Sequence, residues 1–341
     1  MTTTLSLDDV EQLSDKMLRA SGAAPHQAIP TAASIREAEA DGIRSVGLNY
    51  LPTYCDHVAC GKVVGDAVPT VAKPRSAIIA VDAMHGFAHP ALLVGLDPLA
   101  SATRTCGVAL LSVSHSYSAG VLGWFVERVA AEGLIALMFA NSSSLMAPYG
   151  GSKPFFGTNP IAWSVPRAAA PPLVADLSSS TVAWVTVLAA AADDVAIPLG
   201  WALDADGQPT TDPHVGLAGS MAPAGGHKGS ALALLVDLLA GGLTGSSFSF
   251  EASGFAGNDG GPPDVGQVVL AIDPTVTTPT FLQRVETELT AMTAEAGVRL
   301  PGGRRLAHRA AAERDGVEVP DELMATLRSY AEHGSPSRRR D

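Results

Sequence analysis

The pattern of short apolar segments that starts at residue 76 constrains the fold of this chain most strongly. Stretches with helical spacing separate these segments, and strands that alternate with helices predict an α/β sheet with some parallel pairing. The first 60 residues and the last 60 have helical patterns instead. We therefore predict a mixed-sheet α/β domain with a helical lobe built from both chain termini. The predicted strands are 77–81, 108–111, 134–139, 161–165, 173–176 and 267–272.

The same patterns divide the chain into three parts. Residues 1–72 and 298–335 are assigned to the helical lobe, residues 73–297 to the α/β domain that binds cofactor and substrate, and residues 336–341 to a flexible tail. Three arginines at 338–340 lie in that tail, and we interpret them as a solvated basic end. The first predicted helix lies between Ser6 and Gly22, and the others cover 31–40, 50–60, 90–104, 121–132, 181–192, 228–240, 279–296 and 320–331.

The balance of charge excludes whole classes of partner. The 341-residue chain has 22 Lys and Arg against 34 Asp and Glu, which gives a net charge of −12. Such a surface repels phosphate backbones and anionic lipid, so we expect neither nucleic-acid nor membrane binding. The most apolar windows, 181–192 and 231–239, are shorter than the roughly 20 residues that a bilayer crossing needs. We predict that both are buried helices.

The N-terminus and the cysteines together predict a cytoplasmic protein without a metal centre. The first residues lack the positive and apolar regions of a signal peptide, and three cysteines cannot all pair within one chain. Cys55, His57 and Cys60 lie close together, but they lack the second ligand pair of a closed zinc site. We interpret this segment as a helix that carries two core thiols.

Generic cofactor motifs are absent from the sequence. No Gly-x-Gly-x-x-Gly follows a predicted strand, and there is no phosphate-binding P-loop, Gly-x-Ser-x-Gly elbow or His-Glu-x-x-His. A dinucleotide site in this chain is therefore of a non-Rossmann type.

Four longer strings point to one family. In chain order they are MAPYGG at 146–151 running on to GTNPIA at 157–162, DLSSS at 176–180, GGHKGS at 225–230 and PGGRR at 301–305. Their order and spacing resemble the malate/L-lactate dehydrogenase family, which is unrelated to Rossmann-type lactate dehydrogenases. That family includes sulfolactate oxidoreductases and reductases of Δ1-piperideine-2-carboxylate. The resemblance implies an oxidoreductase that uses NADPH or NADH on a small molecule, and a homodimer with the site near the subunit interface.

The residues in these strings carry groups that can bind the phosphates and ribose of a dinucleotide. Asp176 ends a predicted strand, and the hydroxyl and free N–H groups that follow at a helix start suit phosphate or ribose oxygens, although a simple serine N-cap has the same pattern. Lys228 opens an apolar helix and offers a point charge to phosphate or carboxylate. Arg304 stands where the family usually has an acidic residue. By the resemblance, the cofactor contacts are Ser142, Asp176, Leu177, Ser178, Ser179, Ser180, His227, Lys228, Gly302, Gly303 and Arg304.

The expected substrate end departs from the family pattern. The family has Ser-His-Gly-x-x-Arg near the N-terminus, where the histidine is a proton donor and the arginine binds a substrate carboxylate. Here Ser45 is followed by Val46 in place of the histidine, and Tyr50 stands in place of the arginine. A second family histidine falls on Ser116 when residues are counted forward from 107, and on Ser118 when they are counted back from 133. The neighbouring residue, His115, would have to swing in to replace it.

The loss of both histidines bears on the choice of substrate. Hydride addition to a ketone leaves an alkoxide, and a positioned acid that protonates it contributes roughly 10²–10⁴ in rate. A protonated cyclic imine becomes a neutral amine without such an acid, and a nearby carboxylate stabilises its positive charge. We therefore predict an NAD(P)H-dependent reductase of a small cyclic imine or imino acid. The predicted catalytic residues are Asp176, His115, Ser116 and Tyr50, and the predicted substrate contacts are Ser45, Val46, Tyr50 and Lys228.

Two alternatives stay open on the sequence. One is a 2-oxo acid or 2-hydroxy acid oxidoreductase in which His115 or Tyr50 acts as the acid. The other keeps the fold but replaces hydride transfer by a non-redox step or by binding alone. The serines at 178–180 and Lys228 favour the redox functions, because a binding module need not keep cofactor contacts.

Overall fold

The computed structural model of the chain describes residues 1–337, so the predicted basic end at 338–340 lies outside the described residues. The strands are β1 (Thr2–Leu5), β2 (Thr70–Arg75), β3 (Ile78–Asp82), β4 (Val108–Ser116), β5 (Ile135–Ala140), β6 (Ile161–Val165), β7 (Leu173–Leu177), β8 (Ala202–Leu203), β9 (Pro209–Thr210), β10 (Ser220–Met221), β11 (Val265–Ile272) and β12 (Val317–Pro320). The α-helices are α1 (Leu7–Ala20), α2 (Pro25–Ala40), α3 (Leu51–Cys60), α4 (Ala88–Cys106), α5 (Leu122–Ala131), α6 (Trp184–Ala192), α7 (Pro213–Ala218), α8 (His227–Asp237), α9 (Phe281–Thr293), α10 (Gly303–Asp315) and α11 (Asp321–His333).

Seven strands of the described chain form one mixed sheet in the order β2-β3-β4-β11-β5-β6-β7. β3 and β4 pair in parallel, and α4 provides the crossover that a parallel pair requires. The other neighbours within residues 1–337 pair in antiparallel fashion. The α/β class and the mixed sheet predicted from the sequence are confirmed.

The main core lies between this sheet and the helices α4 and α5. Leu99 and Phe125 from the two helices are fully buried against Leu111, Met138 and Val269 of the central strands. Burial of these apolar side chains is the main stabilisation of the domain. This packing also fixes the N-terminus of α5 beside β6 and β7, at one edge of the sheet.

Both ends of the chain contribute to the helical lobe. β1 pairs with β12 in antiparallel fashion, and α1 packs against α2 and α11. Leu18, Ile35, Tyr54 and Leu327 are buried in the core between them. The helical lobe built from both termini, as predicted, is therefore confirmed, whereas the boundaries at residues 72 and 298 stay a prediction.

The sequence patterns missed β8, β9, β10, β12 and α7, and three further elements that bear on the fold, β1, β2 and α10. β1 and β2 are short strands at sheet edges, and α10 buries only Ala312 while charged side chains cover much of its surface. None of the three carries an apolar period that a sequence pattern reveals. Two predicted helix starts were also wrong. α2 begins at Pro25, which the first turn of a helix tolerates, and it continues through Pro30 instead of starting after it. α6 begins at Trp184 rather than at 181.

The two most apolar helices are less buried than predicted. In α6 only Val187 and Ala191 are buried, and α8 exposes about half of the side chains of Leu232, Leu234 and Leu235. The prediction that both helices are buried is therefore wrong for a single copy of the chain, because apolar composition does not show what covers a helix. Across residues 1–337, no helix combines the length and the apolar character that a membrane crossing requires.

Candidate active site

A cavity of about 1140 Å³ lies where the end of β7, the start of α5 and the start of α10 meet. Its volume exceeds the 300–1,000 Å³ of typical small-molecule pockets, and it is therefore large enough for a dinucleotide. Val121 and Gly123 form one wall, and the turn at Ile43 forms another. The predicted cofactor residues Asp176, Leu177, Gly302, Gly303 and Arg304 all line this cavity.

Asp176 is the carboxylate of the cavity. Its side chain accepts a 2.8 Å hydrogen bond from the backbone N–H of Gly123, at the N-terminus of α5. Desolvation of the carboxyl raises the pKa of Asp176 to about 6, although the N–H groups of Gly123 and Leu122 and the charge of Arg305 act in the opposite direction. The group is therefore ionised at neutral pH but close to its titration range, which is typical of functional carboxylates.

The serine turn after β7 packs directly against the start of α8. Ser179 accepts a 2.9 Å hydrogen bond from the N–H of Ala224 through its carbonyl oxygen, and its hydroxyl donates to the carbonyl of Asn159 at 2.7 Å. A Cβ at Gly229 would lie 2.8 Å from the Ser179 carbonyl oxygen, so this contact requires glycine. The structure thus brings together two strings that are far apart in the sequence.

The hydroxyls of Ser178 and Ser180 bond within the turn itself. Ser178 donates to the carbonyl of Ser180, and Ser180 donates to the carbonyl of Val182 at 2.7 Å. The serine side chains therefore hold the turn, which leaves backbone groups and the neighbouring α8 start for a ligand. His227 and Lys228 are exposed at that start and do not line the cavity.

Three further side chains fit a nicotinamide dinucleotide: Ser142, which does not itself line the cavity, and the cavity residues Arg299 and Arg304. The hydroxyl oxygen of Ser142 is buried and has no hydrogen-bond partner within residues 1–337, so it is available to a ligand. Arg299 and Arg304 line the cavity, and in the described part of the chain neither forms an ion pair. Arg305 differs, since Glu127 holds it at 3.1 Å. The cavity therefore offers two unpaired guanidinium groups to a phosphate.

Ser45 and Val46 lie next to the cavity wall formed by Ile43. They belong to a 3₁₀ turn at Arg44–Val46, and the carboxylate of Glu39 fixes the turn by accepting from the N–H of Leu48 at 2.8 Å. Val46 is half-buried and contributes no group that transfers a proton.

His115 and Ser116 lie away from the cavity. The Nδ1 atom of His115 is 3.1 Å from the carboxylate of Asp82, and Ser116 is buried in β4 with its hydroxyl toward the Tyr117 carbonyl. β11, β5 and β6 separate β4 from β7, and four strand spacings correspond to about 19 Å. Within residues 1–337, no histidine lines the cavity.

Sequence reasoning missed a charged network beside the cavity. The guanidinium of Arg309 is 2.9 Å from Asp41 and 3.0 Å from Glu127, and it thereby joins α10 to α2 and α5. Asp41 is buried, and desolvation raises its pKa although Arg309 and Arg305 lower it. These partners are far apart in the chain, so no local pattern could have revealed the network.

The fold and the cavity define an NAD(P)-dependent oxidoreductase of non-Rossmann type. The chain belongs to the malate/L-lactate dehydrogenase family, whose model matches residues 5–328. It is 44% identical over 97% of its length to the (2R)-3-sulfolactate dehydrogenase (NADP(+)) of Chromohalobacter salexigens, of which it covers 99%. It is 37% identical to the Δ1-pyrroline-2-carboxylate/Δ1-piperideine-2-carboxylate reductase of Pseudomonas syringae pv. tomato, with 97% of each chain covered.

The solved structures agree with this assignment. The crystal structure of Δ1-piperideine-2-carboxylate reductase from Pseudomonas syringae pv. tomato superposes with a TM-score of 0.92 at 37% identity, and the match covers 96% of this chain and 100% of that one. The family predicted from the four strings and the use of NADPH or NADH are confirmed. The roles of individual site residues stay predictions.

Proposed function

We propose that this protein is an NADPH-dependent reductase of a small cyclic imino acid such as Δ1-piperideine-2-carboxylate or Δ1-pyrroline-2-carboxylate. One observation carries the proposal: the cavity contains the carboxylate of Asp176 and, among the described residues, no imidazole. The relatives whose names specify reduction of these imines support the same substrate class.

The chemistry follows from the charge that each substrate develops. Bound NADPH supplies the hydride. A ketone then needs a proton on oxygen, whereas a protonated imine carries its proton on nitrogen before the hydride arrives. The ionised carboxylate of Asp176, held by the N–H of Gly123, stabilises that cation. Val46 supplies no proton, and the imine needs none.

The choice of NADPH over NADH rests on the two unpaired arginines. Arg299 and Arg304 give the cavity positive charge in a chain whose net charge is −12. A 2′-phosphate is the part of NADPH that distinguishes it from NADH, and guanidinium groups bind phosphate well.

A second candidate is the oxidation of a 2-hydroxy acid or the reduction of its 2-oxo acid. The 44% identity to a sulfolactate dehydrogenase favours it. In this case Asp176, whose pKa is raised to about 6, is the group in the cavity that supplies a proton to the carbonyl oxygen. The two candidates therefore differ in whether Asp176 acts as an anion or as an acid.

The proposed assembly is a cytoplasmic homodimer. A short π-helix (Leu238–Leu243) follows α8. Along the two helices runs an exposed apolar row that a second copy would cover, formed by Leu232, Leu235, Leu238 and Leu243. Because α8 starts at the serine turn, this interface would lie close to the cofactor. The free thiols of Cys55, Cys60 and Cys106 suit a reducing compartment.

The substrate class is tested with purified protein and NADPH. Δ1-piperideine-2-carboxylate, pyruvate and 3-sulfopyruvate are offered separately, and cofactor absorbance is followed. Oxidation that is fastest with the imine supports the proposal. Oxidation with a 2-oxo acid alone replaces it by the second candidate, and tight cofactor binding without turnover contradicts both. The oligomeric state is measured separately, by light scattering of the purified protein as it elutes from a size-exclusion column.

A further inference from the structure

Trp163, on β6, gives the cavity an aromatic surface. Its side chain is half-buried, and within residues 1–337 it is the only aromatic side chain that lines the cavity. Tyr50, the aromatic residue predicted at the substrate end, does not line it, and its hydroxyl lies 3.4 Å from both the Tyr117 hydroxyl and the Phe255 carbonyl. Trp163, and not Tyr50, is therefore the ring that meets a molecule bound in the cavity.

The ring of Trp163 has no aromatic or cationic partner inside the protein. In the described part of the chain it forms neither a ring–ring contact nor a cation–π contact. Trp124 shows the contrast, because its ring packs edge-on against Phe125 with centroids 4.8 Å apart and the guanidinium of Arg128 lies 4.3 Å from its centroid. A half-exposed indole without such partners is available to stack with a flat ligand.

Trp163 and Asp176 face opposite sides of the sheet. Ser164, the next residue on β6, is fully buried, and its hydroxyl donates to the carbonyl of Val126 on α5 at 2.6 Å. Because side chains alternate along a strand, Trp163 points away from α5. Asp176 points toward α5, where it accepts from the N–H of Gly123. The cavity that both residues line therefore reaches both faces of the sheet.

The cavity can do so because β7 is the last strand of the sheet. The turn before α10 lies against this strand, since a Cβ at Gly302 would be 3.1 Å from the carbonyl oxygen of Val174. At Gly303, the first residue of α10, the space around a Cβ position is open. The first N–H groups of a helix have no partner within it and suit phosphate oxygens. The middle of the cavity thus suits a pyrophosphate, with a different environment on each face of the sheet.

The surface beside Trp163 is apolar. Ala175 lies directly opposite Trp163 on β7, and Leu177, two residues further on, is on the same face and 61% exposed. All three residues line the cavity. Because the side chain of Ala175 is a single methyl group, it leaves room for a flat ring against the indole. Such a ring would also cover the exposed side chain of Leu177.

We propose that the adenine ring of NADPH stacks on Trp163. The inference rests on the proposed function, which puts the imine, and therefore the nicotinamide, beside Asp176 on the α5 side. The adenine is the other end of the dinucleotide, and Trp163 is the aromatic surface on the other side of β7. The stack adds affinity for the cofactor and takes no part in hydride transfer, so Trp163 is a binding residue and not a catalytic one.

The first experiment measures the binding of 2′,5′-ADP, which is the adenosine end of NADPH without the nicotinamide. Trp163→Leu should raise its Kd about 5- to 150-fold, the range for the loss of one base–aromatic stack, and Trp163→Phe, which keeps a ring, should raise it by a smaller factor. Trp201→Leu is the matched control, because Trp201 packs against a separate small core and does not line the cavity. Its Kd should change less than about twofold. Unchanged binding in Trp163→Leu would overturn the inference.

A truncated hydride donor distinguishes stacking from a general disturbance of the site. Reduced nicotinamide mononucleotide has no adenine, so Trp163→Leu should use it to reduce Δ1-piperideine-2-carboxylate as fast as the wild type does. With NADPH, kcat/KM for the cofactor should fall by about the factor measured with 2′,5′-ADP. Equal losses with the two donors would mean that Trp163 acts through the fold, and the inference would be wrong.

The wild-type protein separates this inference from the proposed function. A wild type that does not reduce the imine with NADPH, or does not bind 2′,5′-ADP, contradicts the proposed function. If the wild type does both, 2′,5′-ADP should quench part of its tryptophan fluorescence, and Trp163→Phe should lose that part. A quench that stays the same in Trp163→Phe, together with an unchanged Kd, overturns the inference alone.

Discussion

Two polar regions of the seven-stranded sheet differ in the side chains that they carry, one at the end of β7 and the other at the ends of β3 and β4. At one end, the cavity holds the carboxylate of Asp176 and, within residues 1–337, no histidine. At the other end, which we call the histidine cluster, His115 faces Asp82 at 3.1 Å and His85 lies 3.8 Å from Asp264. The polar groups that a carbonyl reductase would combine in one place are thus about 19 Å apart in a single copy of this chain.

The backbone explains why the histidine cluster is where it is. His85, His115 and Asp264 have φ angles of 61°, 47° and 56°, a region that side chains rarely adopt. The N–H of His85 donates to the carbonyl of His115 at 2.8 Å, and the N–H of His115 donates to the hydroxyl of Ser246 at 3.0 Å. The imidazoles therefore belong to a tightly bonded corner of the sheet, and their presence in the sequence does not imply a role in the cavity.

The sharpest test of this contrast is Asp176→Asn. Loss of the charge beside a developing or bound cation should lower kcat/KM for the imine about 10²- to 10³-fold. The matched change Asp82→Asn, in the histidine cluster, should alter it less than about twofold. Equal losses in the two variants would show that the histidine cluster contributes to the reaction as much as the cavity does.

The same variant has an expected effect on stability with a defined sign. The folded protein keeps a proton on Asp176 between pH 3.8 and about 6, where the unfolded chain has released it. The raised pKa therefore destabilises the fold as pH rises through that range, and the penalty stays at higher pH. Asp176→Asn removes it, so thermal unfolding at about pH 7.5 should occur at an equal or higher temperature than in the wild type.

Val46→His tests whether the missing imidazole decides the substrate. A histidine at this turn, beside the cavity wall, should raise kcat/KM for pyruvate about 10- to 100-fold, because it supplies the proton that the alkoxide needs. Val46→Phe adds a ring without a proton and should not do so. The measurement is the steady-state rate with pyruvate and NADPH. If Val46→His does not raise it, the missing imidazole does not decide the substrate.

Arg304→Glu examines the cofactor end of the cavity. Replacing an unpaired cation by an anion should raise the KM for NADPH about tenfold and leave the KM for NADH nearly unchanged. Arg314→Glu, at the far end of the same helix, is the control, since Arg314 is exposed and pairs with Asp315. An equal change for both cofactors would place Arg304 away from the 2′-phosphate.

The smallest expected effect is that of His115→Ala. The side chain lies about four strand spacings from Asp176, so imine reduction should change less than about twofold. A loss of more than about tenfold with an unchanged unfolding temperature would show that His115 acts in the site.

Local patterns predicted the parts of this protein that depend on near neighbours. The alternating apolar segments predicted six of the seven strands of the large sheet, all but β2. They did not predict that Gly229 packs against the carbonyl oxygen of Ser179. They could not predict α10, whose side chains are mostly polar and exposed, or the link from Arg309 to Asp41 and Glu127. Such contacts depend on the docking of helices that lie far apart in the chain.

The sequence by itself determined which groups are missing from the expected substrate end, because Val46 and Tyr50 replace a histidine and an arginine whatever the fold does with them. Only the tertiary structure decided where the remaining imidazoles lie. The parallel pairing of β3 with β4 sets Asp82 beside His115, and the order of the strands keeps both away from Asp176. The physical reason is that a side chain's identity is local, whereas its distance from a site depends on backbone pairing between distant segments.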